Sequence, residues 1–335
     1  MTFGELSQKW AKIEIIGYSH QYANCLKSAV NHLNSYFADK QIEEIKREDV
    51  KVFLLKKYDY NPNTKKRMSK KLLSDLLNTG SRIYEFAIEN DYCTRNPFKG
   101  KRNILPRKAV SKTREPLSET QRNLVLRVEH RAKIAAIIMM FCGLRLGEVI
   151  ALEWKDIDFK NKKMIINKSA EQVGTNRYEV TPHTKNGKDR YVPVPDIIIP
   201  YLKKEKKKAY SYLVFPKKNG ELQTPSSYST LWKSYQGELN YVYYSEFMKS
   251  QGRNPKSKYA PTEIPVLIDR FTAHQLRHTC CTLLYLSGVD VLTTSKILGH
   301  SSIELTLKIY THLDERFKQF NISKFNDYIN TIIHL

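Results

Sequence analysis

Three nitrogen-bearing side chains fall close together in the stretch FTAHQLRHTCC, residues 271 to 281: His274, Arg277 and His278. On a helical wheel at about 100° per residue they share a face with Cys281 and Tyr285. Leu276, Cys280, Leu283, Leu284 and Ser287 occupy the other face, which is expected to meet a core. Two histidines at i and i+4 have the spacing of the HExxH zinc helix. That motif needs a glutamate beside the first histidine as general base, where this chain has Gln275, and Arg277 would place a positive charge between the two ligands. The same three groups suit a negatively charged substrate. Standing alone they also suit two surface histidines and a solvated arginine, with no chemistry at all.

Other groups widen the choice. In CGLRLGEVIAL, Arg145 follows an apolar run and Glu148 stands three residues on, within reach of its guanidinium. In KILGHSSIELTLKIYTHL, His300 follows a helix-ending glycine and Tyr310 lies on the next helix. Between them, PHTKNGKDRYVPV carries Asn186-Gly187, a strong hairpin-turn signal, which places Lys185 at a hairpin tip between two strands.

Taken in order, GLRLGE, then TK followed by RYVPVP, then HQLRHT, LGHSSI and YTHL resemble the tyrosine recombinases, or phage-type integrases. Each piece is weak alone, and their succession from Gly143 to Leu313 is what carries the resemblance. It implies a mainly α fold with a small antiparallel β-sheet in the catalytic domain. The expected two-domain arrangement is a helical core-binding domain over residues 1–98, a basic linker over 99–116, a mixed α/β catalytic domain over 117–313 and a tail over 314–335 that is exchanged between protomers or packed in cis.

The resemblance also implies a chemistry. A phosphodiester under attack gathers negative charge on its non-bridging oxygens, and cations held in place can meet it. Arginine suits the task because it is always charged and binds two oxygens at once. Arg145 and Arg277 are then the phosphate clamp, His274 and His300 further donors, and Tyr310 the nucleophile that becomes linked to a 3′ phosphate. Lys185 is the candidate acid for the departing 5′ oxygen, and Glu148 supports Arg145. His278 and His312 are read as supporting the fold. No metal, nucleotide or other cofactor is implied. The implied partners are double-stranded recombination sites, a homo-tetramer on two duplexes, and accessory DNA-bending or directionality proteins. Three rivals remain open: a silent DNA-binding regulator, a type IB topoisomerase, and a metallohydrolase using His274 and His278.

The elements that must position these groups are legible in outline. Residues 1 to about 97 read as helices in TFGELSQKWAKI, YANCLKSAVNHLNSYF, EDVKVFLLKK and SKKLLSDLLNTGSRIYEFAIEN, with Pro97 ending the last. The segment KGKRNILPRKAVSKTREP is basic, contains two prolines and lacks a period, as an interdomain linker does. Ser118 and Gln121 form a capping box. A buried helix through AAIIMMF and a short helix in RLGEVIAL follow, then strands at KMIIN, RYEVTP, DRYVPVP and YLVF, with a solvated lysine-rich helix face at Lys203 to Lys208. Residues 236 to 266 fit no period and read as an insertion or long loop.

Composition agrees with a nucleic-acid partner. The formal charge of +22 over 335 residues makes an extended polyanion the most economical explanation, ahead of an anionic membrane surface. The apolar run Ile134 to Leu144 is far short of the roughly 20 residues of a membrane span. MTFGELSQKW has no signal-peptide pattern, and five cysteines without a CxxC pair suit reduced thiols, so a cytoplasmic, nucleoid-associated location is expected. The chain opens directly on the helical pattern, so a further N-terminal domain for distant arm sites is not expected.

Overall fold

A computed structural model describes residues 1–59, 67–100, 115–182, 189–260, 263–300 and 302–310. The chain divides into two compact units, residues 1–113 and 114–335.

The first unit is helical: α1 (Phe3–Glu14), α2 (His20–Phe37), α3 (Arg47–Asp59) and α4 (Lys70–Glu89). Each has an apolar stripe that the others cover. Phe3, Phe37, Tyr84 and Phe98 meet in an aromatic centre, with ring centroids 5.6 to 6.3 Å apart. Thr2 opens α1 with a capping box completed by Glu5, and Ser69 accepts the Leu72 amide at the start of α4. Pro97 does not end α4. The helix stops at Glu89 because Asn90 leaves helical geometry and Asp91 turns left-handed, with φ of 58°. The basic linker falls mostly on residues 101–114, outside the described residues.

The second unit begins with α5 (Glu119–Arg127), where the expected Ser118–Gln121 capping box forms. In α6 (Lys133–Phe141) every residue from Lys133 to Met140 is buried, which is why AAIIMMF has no polar side. The short α7 (Leu146–Ala151) follows, then β1 (Ile157–Asp158), β2 (Lys163–Ile166), β3 (Lys168–Val173), β4 (Arg177–Pro182) and β5 (Arg190–Pro193). These strands form two antiparallel sheets, one ordered β1-β2-β5 and one pairing β3 with β4. The helices α8 (Ile199–Lys207), α9 (Pro225–Ser250), α10 (Ala273–Leu286), α11 (Val291–Leu298) and α12 (Ile303–Tyr310) complete the unit. The lysines of Lys203 to Lys208 are exposed, as a solvated helix face requires.

Three local expectations are corrected. The hairpin in this region joins β3 to β4, whereas the strands on either side of Lys185 pair elsewhere: β4 with β3, and β5 with β2 through Met164↔Val192. Lys185 itself lies outside the described residues. YLVF makes a single bridge, Glu153↔Leu213, because its partner coils into a 3-10 turn at Trp154–Asp156 and the ladder cannot continue. Much of the presumed insertion is helical. Tyr228, Leu231, Trp232, Tyr235, Leu239 and Val242 form one stripe against the core, and the tyrosines after Asn240 obscure it when the segment is read from residue 236. Among the described residues no helix is long and apolar enough to cross a membrane.

Candidate active site

The polar face of α10 is not a free surface. Thr272 caps the helix with Gln275 as its partner, so the residue standing at the zinc-motif glutamate position is engaged at the helix start, and its Nε2 also donates to the Glu115 carbonyl at 3.3 Å. Little more than one turn on, the helix, pressed against α6 and α11, carries Arg277 inward to 4% exposure. Its guanidinium donates to the Gly143 carbonyl at 2.7 Å and the Leu298 carbonyl at 2.6 Å. Cys281 is buried beside it, and His274 is exposed. On the opposite face Leu276 and Cys280 are buried as expected, Leu283 and Leu284 only half so, and Ser287 is exposed because α10 ends there and turns away from the core.

Arg145 stands at the start of α7, where its backbone amide donates to Glu148 Oε2 at 2.7 Å and its side chain to Oε1 at 3.0 Å. Its other Nη donates to the Gly299 carbonyl. Sequence reasoning missed a third arginine. Arg190, on β5, binds both oxygens of the buried Glu148 at 2.9 and 2.7 Å, and its Nε donates to the Ile297 carbonyl at 3.0 Å. The signal lay in RYVPVP, whose first residue is a cation at the head of a half-buried strand, but spacing alone gives it no partner.

Three guanidiniums therefore take the carbonyls of three successive residues, Ile297, Leu298 and Gly299, at the end of α11. A helix C-terminus carries partial negative charge and free carbonyls, so it can hold cations together that would otherwise repel. Gly299 permits this end: its φ of 64° lets the His300 amide reach back to the Ser295 carbonyl at 3.1 Å, a Schellman closure. His300 follows, and its Nδ1 lies 2.7 Å from Thr306 Oγ1 on α12.

Arg145, His274, Arg277, His278, Cys281, His300 and Leu305 line a cavity of about 330 Å³. Four of the six expected site residues, Arg145, His274, Arg277 and His300, thus meet around one space. Tyr310 is the last residue of α12, and its side chain lies outside the described residues, as does His312. Among the described residues no three His, Cys, Asp or Glu side chains gather as a metal would need.

The electrostatics favour an anion. Burial, then the neighbouring Arg145, push Arg277 down to about 9, against the pull of Glu148, so it stays charged at neutral pH. Burial would raise Glu148, but Arg190 and Arg145 outweigh it and hold the carboxyl below its usual range. Burial, Arg277 and Arg145 push His300 down to about 4, so its ring is neutral near pH 7. Burial raises Cys281 to about 12, leaving a thiol rather than a thiolate in the wall.

Comparison with known proteins narrows the readings. The model of the phage integrase family matches residues 117–316. The chain belongs to the phage integrase family. A relative named tyrosine recombinase XerC-like, from Caldanaerobacter subterraneus subsp. tengcongensis, is 28% identical over 98% of this chain and 83% of its own length. The fold matches that of the Tn1549 transposon integrase solved with circular intermediate DNA, with a TM-score of 0.73 at 20% identity over 96% of this chain and 99% of the other. It also matches a lambda integrase tetramer bound to a Holliday junction, with a TM-score of 0.64 at 16% identity over 92% and 77%. As a tyrosine recombinase the chain is an enzyme of site-specific DNA recombination, and the metallohydrolase reading falls away. The match covers the cavity, all three arginines and α12.

Proposed function

We propose that the cavity holds a scissile phosphate and that Tyr310 opens the DNA strand there. Arg145 and Arg277 present N–H groups to the non-bridging oxygens, fixed in advance by the α11 carbonyls and by Glu148, so little reorganisation is needed as charge builds. His274 and His300 add donors. Tyr310 Oη forms a bond to phosphorus, the bond to the 5′ oxygen breaks, and Lys185 supplies the proton that oxygen takes up. The tyrosine, with an ordinary pKa of about 10, gives up its own proton as it attacks, helped by the surrounding cations. A 5′ hydroxyl from another strand then attacks the 3′ phosphotyrosine and restores the hydroxyl of Tyr310.

The observation that carries this reading is the convergence of two guanidiniums with His274, His278 and His300 on one space, over a third guanidinium, Arg190, that anchors the carboxylate holding Arg145. The phosphotyrosine linkage conserves the energy of the broken bond, so neither magnesium nor ATP is required. In the working assembly four copies bind two duplexes, residues 1–98 and 117–313 each contact the site, and the tail from residue 314 links neighbouring copies. Accessory bending or directionality proteins act on the same complex, in the cytoplasm where the DNA lies.

Duplexes drawn from direct repeats flanking the gene, incubated with the protein and a chelator, test the proposal. Recombinant products at undiminished yield are expected. Relaxation of supercoils by one copy without pairing of sites would favour topoisomerase action, and DNA binding without strand exchange would favour a silent regulator.

A further inference from the structure

We propose that Thr306 is a positioning residue that fixes the tautomer of His300, donating its hydroxyl proton to Nδ1 so that Nε2 keeps the ring proton and serves as the donor toward the cavity. The inference rests on the phosphate-site reading above and assigns a role to a residue outside the expected catalytic set.

Thr306 is completely buried, and its Oγ1 lies 2.7 Å from His300 Nδ1, its hydrogen-bond partner among the described residues. A hydroxyl can donate or accept in such a pair, but the two choices differ. If Nδ1 carried the ring proton and donated it, the threonine proton would be buried without an acceptor among the described residues, at the full desolvation cost of an unsatisfied donor. If the hydroxyl donates, both groups are satisfied and Nε2 carries the proton. The choice matters because the ring is held neutral by burial and by the arginines beside it. A neutral imidazole has one N–H, and only the nitrogen that holds it can donate to a phosphate oxygen.

The placement of Thr306 adds a second effect. It sits on α12 one turn before Tyr310, and Leu305 beside it lines the cavity. The hydroxyl therefore ties the orientation of His300 to the docking of the helix that carries the nucleophile. With α12 docked, the histidine is set as a donor, and without it Nδ1 loses its partner.

Nitrogen-15 spectra of the full chain with labelled histidines, with His300 assigned by its loss in His300→Gln, read the tautomer directly. The wild type and Thr306→Ser are expected to show the Nε2–H form, and Thr306→Val to lose it. Single-turnover formation of the protein–DNA adduct on a nicked repeat should fall roughly 10- to 100-fold in Thr306→Val, the scale of losing one preorganised donor. DNA affinity should be unchanged and Thr306→Ser should stay close to wild type. An Nδ1–H tautomer in the wild type overturns the proposal, and that spectrum decides it even where Thr306→Val does not fold. Wild-type rate in a folded Thr306→Val also overturns it. If the wild type makes no adduct at all, the phosphate-site reading fails, while the spectra still decide the tautomer.

Discussion

Glu148 is the pivot among the side chains, since a nearly inaccessible carboxylate is shared by Arg145 and Arg190. Stranding a buried charge costs about 3–5 kcal/mol; losing Arg190 takes two of the hydrogen bonds of Glu148 and leaves Arg145 to hold it, so a part of that cost is expected. Arg190→Met should therefore lower the melting temperature clearly and slow adduct formation, although Arg190 does not line the cavity, and paired denaturant and single-turnover measurements check both. His300 gives a pH dependence with a definite sign. Its ring is pushed down to about 4 in the folded chain, against about 6.5 when unfolded. As pH falls through that interval the unfolded chain takes up a proton that the folded chain refuses, so stability declines from about pH 6.5 toward 4. Thermal melts across this window should show the decline in wild type and a shallower one in His300→Gln. Of these side chains, Arg145, Glu148, Arg277 and His300 were legible because their motifs fix them. The burial of Arg277 was not, because a helical wheel cannot know that the carbonyls of another helix wait on its polar side.

Elements set these side chains through close approaches as much as through periodicity. α7 lies so near β3 that a Cβ on Gly147 would fall 2.4 Å from the Ala170 carbonyl oxygen, a backbone atom that cannot swing aside. Gly147→Ala should push α7, and Arg145 at its head, away from the cavity. A cost of about 1–3 kcal/mol is expected, with a larger loss in adduct rate than in DNA affinity, read by denaturant melts and binding titrations. The helices were legible wherever one face is apolar, as in α1, α2 and α4, and where a capping box marks the start, as at Ser118. The separate pairings of β4 with β3 and of β5 with β2 were not, because Asn186-Gly187 predicts a turn and says nothing about which strands will pair. Nor was the length of α9, whose stripe is laid down from Tyr228 and then masked by tyrosines on every side.

At the scale of the whole chain, the excess positive charge of +22 makes affinity for DNA depend on released counterions. If roughly 6–10 phosphates are contacted, affinity should fall by about 10³ to 10⁵ between 50 and 200 mM salt, as fluorescence titrations with a labelled repeat can measure. The division into two compact units and the family match together place the cavity within residues 114–335. The central claim is that this cavity lets Tyr310 take hold of a DNA end, and mass spectrometry of a trapped complex tests it most directly. The chain is incubated with a nicked repeat that prevents religation, digested, and searched for the peptide that carries nucleotide. The account predicts a 3′ phosphonucleotide on Tyr310 in the wild type and no adduct in Tyr310→Phe. An adduct on another residue, or strand cleavage that persists in Tyr310→Phe, would contradict it.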